Sequence, residues 1–528
     1  ITGGLAVTVG NPYGQLGVVI VLLALAVQLV IDRQLRRLGG MVVVGLCVGA
    51  ITALAYLPLL ATLSQTVRQS GPLFSNSGYL APDALNLLAS SAPTYLPPMA
   101  AWYSEHDLVP SVYFAWFVLP VVPWISWRRA AATRRSMTAP LVVTAIMLFF
   151  TLGPSEIWLF RWPVRFVEYL YLAIAVLLAR ALSLGPAQER RGLRALISGA
   201  AVGAGLASSW VVTPQNAATH AAVTVGILVL GTIAIVAWYR GALKAMALTL
   251  VIGSVAYVPV QAGLYSWNRQ VLGVTADHGA TSSLSDATAA TSSYQGTVLQ
   301  LGALHHLDLD GDALERGELM FGHSPTALGL DFVGRYTGIG FPDFMKLLCM
   351  DYRGSTHCDL QPALTAPLED SPYEASLIDV LGVDTLVFST ASYPPDQVVI
   401  PPGFHVALRD DNRTVLVRDT PSPELVATPS PGTTVSVDGS GDLDFTLEVD
   451  SLDGGTVLFN RLGWVGYHAR TTQGESIPVR ENKDGLLELV VPAGQSSIEV
   501  SYTVPGLRTG VMLALGALTV AAAHAAPV

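Results

Sequence analysis

Two arginines and a glutamate stand at the head of an apolar run, LFRWPVRFVEYLYLAIAVLLAR (159–180), where contact with lipid would make each of them costly. Arg161 and Arg165 are spaced i, i+4, and Pro163 suits the first turn of a helix, so a helix here would set both guanidinium groups on one face. Glu168 follows Arg165 by three residues, near enough to pair with it and lower the cost of burial. The planar fork of arginine matches phosphate or pyrophosphate, so the chemistry open to this group is phosphate capture at the mouth of a membrane span. The competing reading is snorkelling, in which Arg161 reaches lipid headgroups without a specific ligand.

A second set lies in the long segment SGPLFSNSGYLAPDALNLLASSAPTYLPPMAAWYSEHDLVPS (70–111). Asp83, Glu105, His106 and Asp107 could bind a divalent metal or serve as a base there, in a substrate-lining loop. The alternative is a structure lying along the membrane surface, with Tyr95, Trp102 and Tyr103 as interface anchors and the charges solvated beside them.

These residues need a membrane scaffold, and the composition supplies one. The chain has 528 residues, is 51% hydrophobic and 13% charged, and has a mean hydropathy of +0.48, far from a soluble domain. Residues 1–263 hold 16 Lys/Arg against 7 Asp/Glu, and residues 264–528 hold 13 against 32, giving a basic apolar half and an acidic aqueous half. An acidic aqueous half disfavours nucleic acid as a partner. Apolar runs of spanning length fall near 14–31, 39–60, 110–127, 137–153, 163–184, 195–212, 221–238 and 243–263, so 1–263 reads as a transmembrane bundle of about eight spans. Residues 508–528 read as a last transmembrane helix.

Alternate connections carry twelve basic residues, in DRQLRR (32–37), RRAAATRR (128–135), RRGLR (190–194) and YRGALK (239–244), whereas the opposite ones carry only Arg68 and Arg161. The positive-inside rule then puts 61–109 and 264–507 outside the cytoplasm. Residues 264–296 read as a linker, 297–420 as a small α/β domain, and 421–507, with alternating runs such as LDFTLEVD and SSIEVSYTV, as a β-sandwich. Cys349 and Cys358 fall in the aqueous half and are expected to pair, since His357 between them lacks the partners that would complete a metal site. Asp308, Asp310 and Asp312 around Gly311 imitate a calcium loop but fail its spacing, and a solvated acidic turn is the simpler reading. The chain opens ITGGLAVTVGNPYG, with no initiator Met, and Ile1 reads as an internal cut in a longer protein.

The order of parts resembles the YfhO-like bacterial membrane proteins, grouped with the GT-C type of polytopic glycosyltransferases. The matching stretches are LFSNSGYLAPDALNLL, FRWPVRF, SLIDVLGVDTLVF (376–388) and FNRLGWVGYHA, followed by VPAGQSSIEVSYTVPGLRTG before the last span. Where the family has tyrosine, proline, glycine, tryptophan, this chain has Leu462, Gly463 and Trp464. The resemblance implies sugar transfer in the bacterial plasma membrane, from a polyprenyl-phosphate carrier to a cell-envelope glycan or glycolipid, with no certain cofactor. It also implies a catalytic acid in a first outer loop, which would fall upstream of Ile1. A non-catalytic scaffold, whose outer β-rich part binds carbohydrate or a partner protein, is the alternative.

Overall fold

The computed structural model describes residues 11–67, 74–100, 106–108, 111–158, 160–264, 283–304, 312–441 and 443–525. The chain divides into two compact units, one of Ile1–Ala55, Gly71–Val271 and Thr509–Val528, the other of Tyr56–Ser70 and Leu272–Arg508.

The first unit is built on helices α1 (Pro12–Ile31), α2 (Leu35–Thr62, of which the part up to Ala55 belongs to this unit), α3 (Thr138–Leu152), α4 (Val167–Ser183), α5 (Arg191–Val212), α6 (Ala217–Tyr239) and α7 (Leu243–Leu264). Taken with their flanking turns, these are seven helices long and apolar enough to cross a membrane, among the described residues. The protein is a multi-pass membrane protein. The last helix, Leu507–Ala525, is apolar and shorter than most of the seven.

The apolar run 110–127 does not form the expected spanning helix. It gives one short helix, Val118–Val121, then a 3-10 turn, Val122–Trp124. Pro120 and Pro123 are the cause, because each removes an N–H and fixes φ within a few residues of the other. The segment nonetheless runs the depth of the bundle. At one end the Tyr171 hydroxyl donates to the Val112 carbonyl (2.5 Å), midway Trp116 is fully buried against Gly253, and at the other Ala187 N–H donates to the Trp124 carbonyl (2.8 Å). A Cβ on Gly253 would fall 2.7 Å from the Trp116 indole, so this close approach requires glycine. Irregular backbone at such depth is tolerated only where protein satisfies it. Here Ser91 Oγ accepts from Leu119 N–H (3.0 Å), Ser198 Oγ donates to the Pro120 carbonyl (2.6 Å), and Ser198 accepts from Trp124 Nε1 (2.9 Å). Among the described residues up to Leu264, seven long apolar helices and this one broken segment therefore stand where eight spans are expected.

Residues 84–99 depart from one of the two readings of this segment, the structure lying along the membrane surface. After the short helix Ala84–Leu88 the chain enters the bundle, where Ala89, Ser90, Ser91, Ala92, Thr94 and Tyr95 are buried. Thr94 donates to Ser209 of α5 (3.1 Å), and Gln261 of α7 donates to the Pro93 carbonyl (3.1 Å). The small side chains of LLASSAPT make this entry possible, because Ala92 fits against Gly205.

The second unit contains a five-stranded mixed sheet in the order Asp331–Phe332, Thr297–Leu301, Val383–Ser389, Arg413–Arg418, Phe404–Arg409, with the first two pairings parallel. Val383–Ser389 is buried on both faces, as the central strand of a covered sheet must be. Residues 427–502 form two antiparallel sheets, one of four strands and one of five, whose inner faces meet in a core that includes Leu447, Val457, Phe459, Leu489 and Ile498. The burial of Phe445–Ser451 alternates strictly, as in a sandwich strand with one face to water. Leu458 and Leu486 of the four-stranded sheet also enter the core of the mixed sheet, so the two parts share hydrophobic contacts. Part of the expected linker is ordered: Leu284–Ala290 is a helix capped by Ser283, and its Ala287 is wholly buried. Small residues in SDATAA let this helix pack closely, and residues 265–282 lie outside the described ones.

Candidate functional site

Arg161 and Arg165 do not share a helix face. Arg161 ends a two-residue strand, Phe160–Arg161, paired with Glu156–Ile157, and the chain then turns through Trp162 at φ 65°, ψ 86°. Pro163–Phe166 is a 3-10 turn, with Pro163 at its first position, and the α-helix starts only at Val167. The left-handed Trp162 is a costly conformation for a bulky residue. Bonds on both sides hold it, since Trp162 N–H donates to the Ser155 carbonyl (3.0 Å) and Val164 N–H to the Leu80 carbonyl (3.0 Å).

This turn decides where Arg165 goes. Its guanidinium lies 3.9 Å from the centre of the Trp162 ring and 5.1 Å from that of Tyr13, and it donates to the Tyr13 hydroxyl at 3.3 Å. The same hydroxyl accepts from Arg161 N–H (2.9 Å) and donates to the Arg161 carbonyl (2.5 Å). Tyr13 thus ties α1 to the head of α4. The expected ion pair is not formed: among the described residues Glu168 makes no bond to Arg165, whose partners are Tyr13 and Trp162, and both residues are exposed. The 3-10 turn changes the angular relation that an α-helix would give residues 165 and 168.

Next to this head lies a groove of about 730 Å³ between α1, α2, α3 and α4. Its walls are aliphatic, with Val18, Leu22, Val48 and Met147 among them, and Tyr169 stands at its upper part beside Gly14 and Gly17. Tyr169 follows Arg165 by four residues, about 7 Å along a chain that passes from the 3-10 turn into α4. Helix α2 buries none of its residues, and it contributes Val44 and Val48 to the groove.

The other candidates divide differently. Asp83 caps the helix Ala84–Leu88, accepting from Asn86 N–H (2.7 Å) and Asn86 Nδ2 (2.8 Å), a structural use of the carboxylate. Glu105 lies outside the described residues. His106 and Asp107 belong to a strand, His106–Leu108, paired with Pro98–Ala100. Among the described residues no cluster of three or more His, Cys, Asp or Glu could hold a metal ion. Cys349 and Cys358 are joined by a disulfide, with Cα atoms 5.9 Å apart. Asp312 begins a short helix, Asp312–Glu315, while Asp308, Asp310 and Gly311 lie outside the described residues.

Sequence reading missed Tyr13 and Trp162 as partners of Arg165. The available signal was NPYG (11–14) opening a span, an aromatic residue beside a helix cap at the same end of the bundle as Arg161. Fold and site together define a multi-pass membrane protein with an apolar groove and an arginine held on aromatic rings near its head. No known protein family, curated protein or solved structure matches the chain.

Proposed function

We propose that the protein is a polyprenyl-phosphate-sugar-dependent glycosyltransferase of the bacterial plasma membrane, acting on a cell-envelope glycan or glycolipid at the extracytoplasmic face. The observation that carries this reading is the aliphatic groove of about 730 Å³ with Arg165 close to its upper end. An isoprenoid chain fits such walls, and the phosphate it carries needs a cation at the interface. Arg165 meets that need: it is exposed, oriented by Trp162 and Tyr13, and has no carboxylate to neutralise it among the described residues. Arg161, whose backbone is bonded to the same Tyr13 hydroxyl, is the second cation of this segment.

The reaction is a displacement at the anomeric carbon. The acceptor hydroxyl gives its proton to a base and bonds to that carbon, while the carbon–oxygen bond to phosphate breaks and the phosphate leaves with the electron pair. Positive charge near the leaving phosphate lowers the barrier. The orientation rests on the basic loops, whose bias favours residues 264–507 on the outer side.

The test uses the purified protein in detergent with a polyprenyl phosphate and the matching neutral polyprenol. Arg165→Gln should weaken phosphate binding about tenfold, the scale of one charge-assisted hydrogen bond, and leave polyprenol binding unchanged. Equal affinity of the variant for polyprenyl phosphate would overturn the phosphate role. For orientation, Ser436→Cys in intact cells should react with an impermeant thiol reagent, and protection would reverse the assignment.

A further inference from the structure

The opposite end of the bundle holds a second site, independent of the first. A pocket of about 410 Å³ opens between the start of α5, the end of α6 and the turn at Trp124. Two arginines, Arg191 and Arg240, face it, with Gln188 and Tyr239 beside them and Ile235 and Val236 forming an apolar wall. We infer that this pocket binds the phosphate headgroup of an anionic phospholipid, with the acyl chains against Ile235 and Val236.

The arginines at this end have divided tasks. Arg129 donates to the carbonyls of Leu184 and Pro186, and Arg194 to those of Glu189 and Pro123. Both are spent on loop backbone. Arg191 instead stacks on Tyr239, 4.6 Å from the ring centre, with one nitrogen on the neutral Gln188 amide (2.9 Å). The Arg240 side chain makes no bond among the described residues. Neither meets a carboxylate there, and Asp32, one of the two acidic residues at this end, is bonded to Gln28 (2.8 Å). Glu189 is exposed, against the twelve basic residues of the four connections.

The placement also favours a lipid over a free anion. Val236 is 42% exposed on a spanning helix, so the apolar wall continues onto the surface that faces acyl chains. Tyr239 donates its hydroxyl to the Ala187 carbonyl and presents its ring to Arg191, which fixes the cation before any ligand arrives. Basic pockets between spanning helices suit phospholipid headgroups for these reasons.

Thermal unfolding of the full chain in mixed micelles tests this, with phosphatidylglycerol, phosphatidylcholine or inorganic phosphate added. Phosphatidylglycerol should raise the midpoint saturably, and the other two should not. Each of Arg191→Gln and Arg240→Gln should raise the phosphatidylglycerol concentration needed by about fivefold. Arg128→Gln with Arg134→Gln, exposed arginines of the same end that do not line the pocket, should leave it unchanged. Arg240→Gln keeps the test informative if Arg191→Gln fails to fold. An equal loss in the control pair, an equal effect of inorganic phosphate, or a wild-type response in both pocket variants would each overturn the proposal.

Discussion

In the β-rich unit the Arg413 side chain is 3% exposed and its donors are taken up: Asp410, the Tyr294 hydroxyl, and the carbonyls of Glu318 and Ala290. In the bundle Arg165 is exposed, and rings and a single hydroxyl are its partners. The same side chain is a structural rivet in one unit and a held but unneutralised cation in the other. The difference follows from solvent. A guanidinium taken out of water must have its donors met within the fold, whereas one at the end of a membrane bundle can keep its charge for a ligand.

The largest effects should therefore come from groups whose surroundings cannot adapt. Arg413→Ala strands Tyr294, two carbonyls and part of Asp410, and should cost the β-rich unit about 3 kcal/mol or more, read by chemical denaturation. Trp116→Ala is the counterpart in the bundle. It empties the space that Gly253 leaves for the indole and should cost about 3–5 kcal/mol, read as a lower thermal midpoint in detergent. A loss under about 1 kcal/mol would show that the broken crossing is held by its serine bonds rather than by this packing.

Sequence made the two halves legible because hydropathy and charge are sums that survive any local rearrangement. Conformation inside an apolar run is not such a sum. Residues 110–127 have the composition of a span, yet Pro120 and Pro123 decide their shape, and the bonds that make the shape affordable come from Ser91 and Ser198, distant in the chain. The head of α4 failed for a similar reason. An i, i+4 spacing predicts a shared face only if the helix has begun, and the left-handed Trp162 delays it past Arg165. The alternation of the sandwich strands was readable because a strand with one wet face must carry its pattern locally.

A pH experiment sharpens the comparison at an intermediate scale. Burial pushes the Tyr294 hydroxyl up to about 12 from its ordinary 10, with Arg413 beside it pulling the other way. Because the folded value is the higher, this contribution is intact below about pH 10 and is lost as pH rises toward 12, by up to about 1.4 kcal/mol per unit. Tyr294→Phe should flatten that alkaline decline in the β-rich unit, measured by denaturation between pH 9 and 12. An unchanged slope would assign the decline to Tyr373, whose hydroxyl is also raised by burial and donates to the buried Glu488 (2.7 Å).

The smallest effect is the most discriminating. Arg165→Ala should lower the thermal midpoint of the bundle only slightly, since an exposed cation on aromatic rings contributes about 0.5–1 kcal/mol. The same variant should lose retention of a polyprenyl phosphate. If it instead destabilised the bundle as strongly as Arg413→Ala does the β-rich unit, Arg165 would be a second rivet, tying α4 to Tyr13 of α1. The contrast between the units would then disappear, and the unusual Trp162 turn would be explained by helix docking alone. Near-normal stability with lost phosphate retention has the opposite meaning: the strained turn keeps a cation poised at the head of an apolar groove, and its conformational cost serves binding.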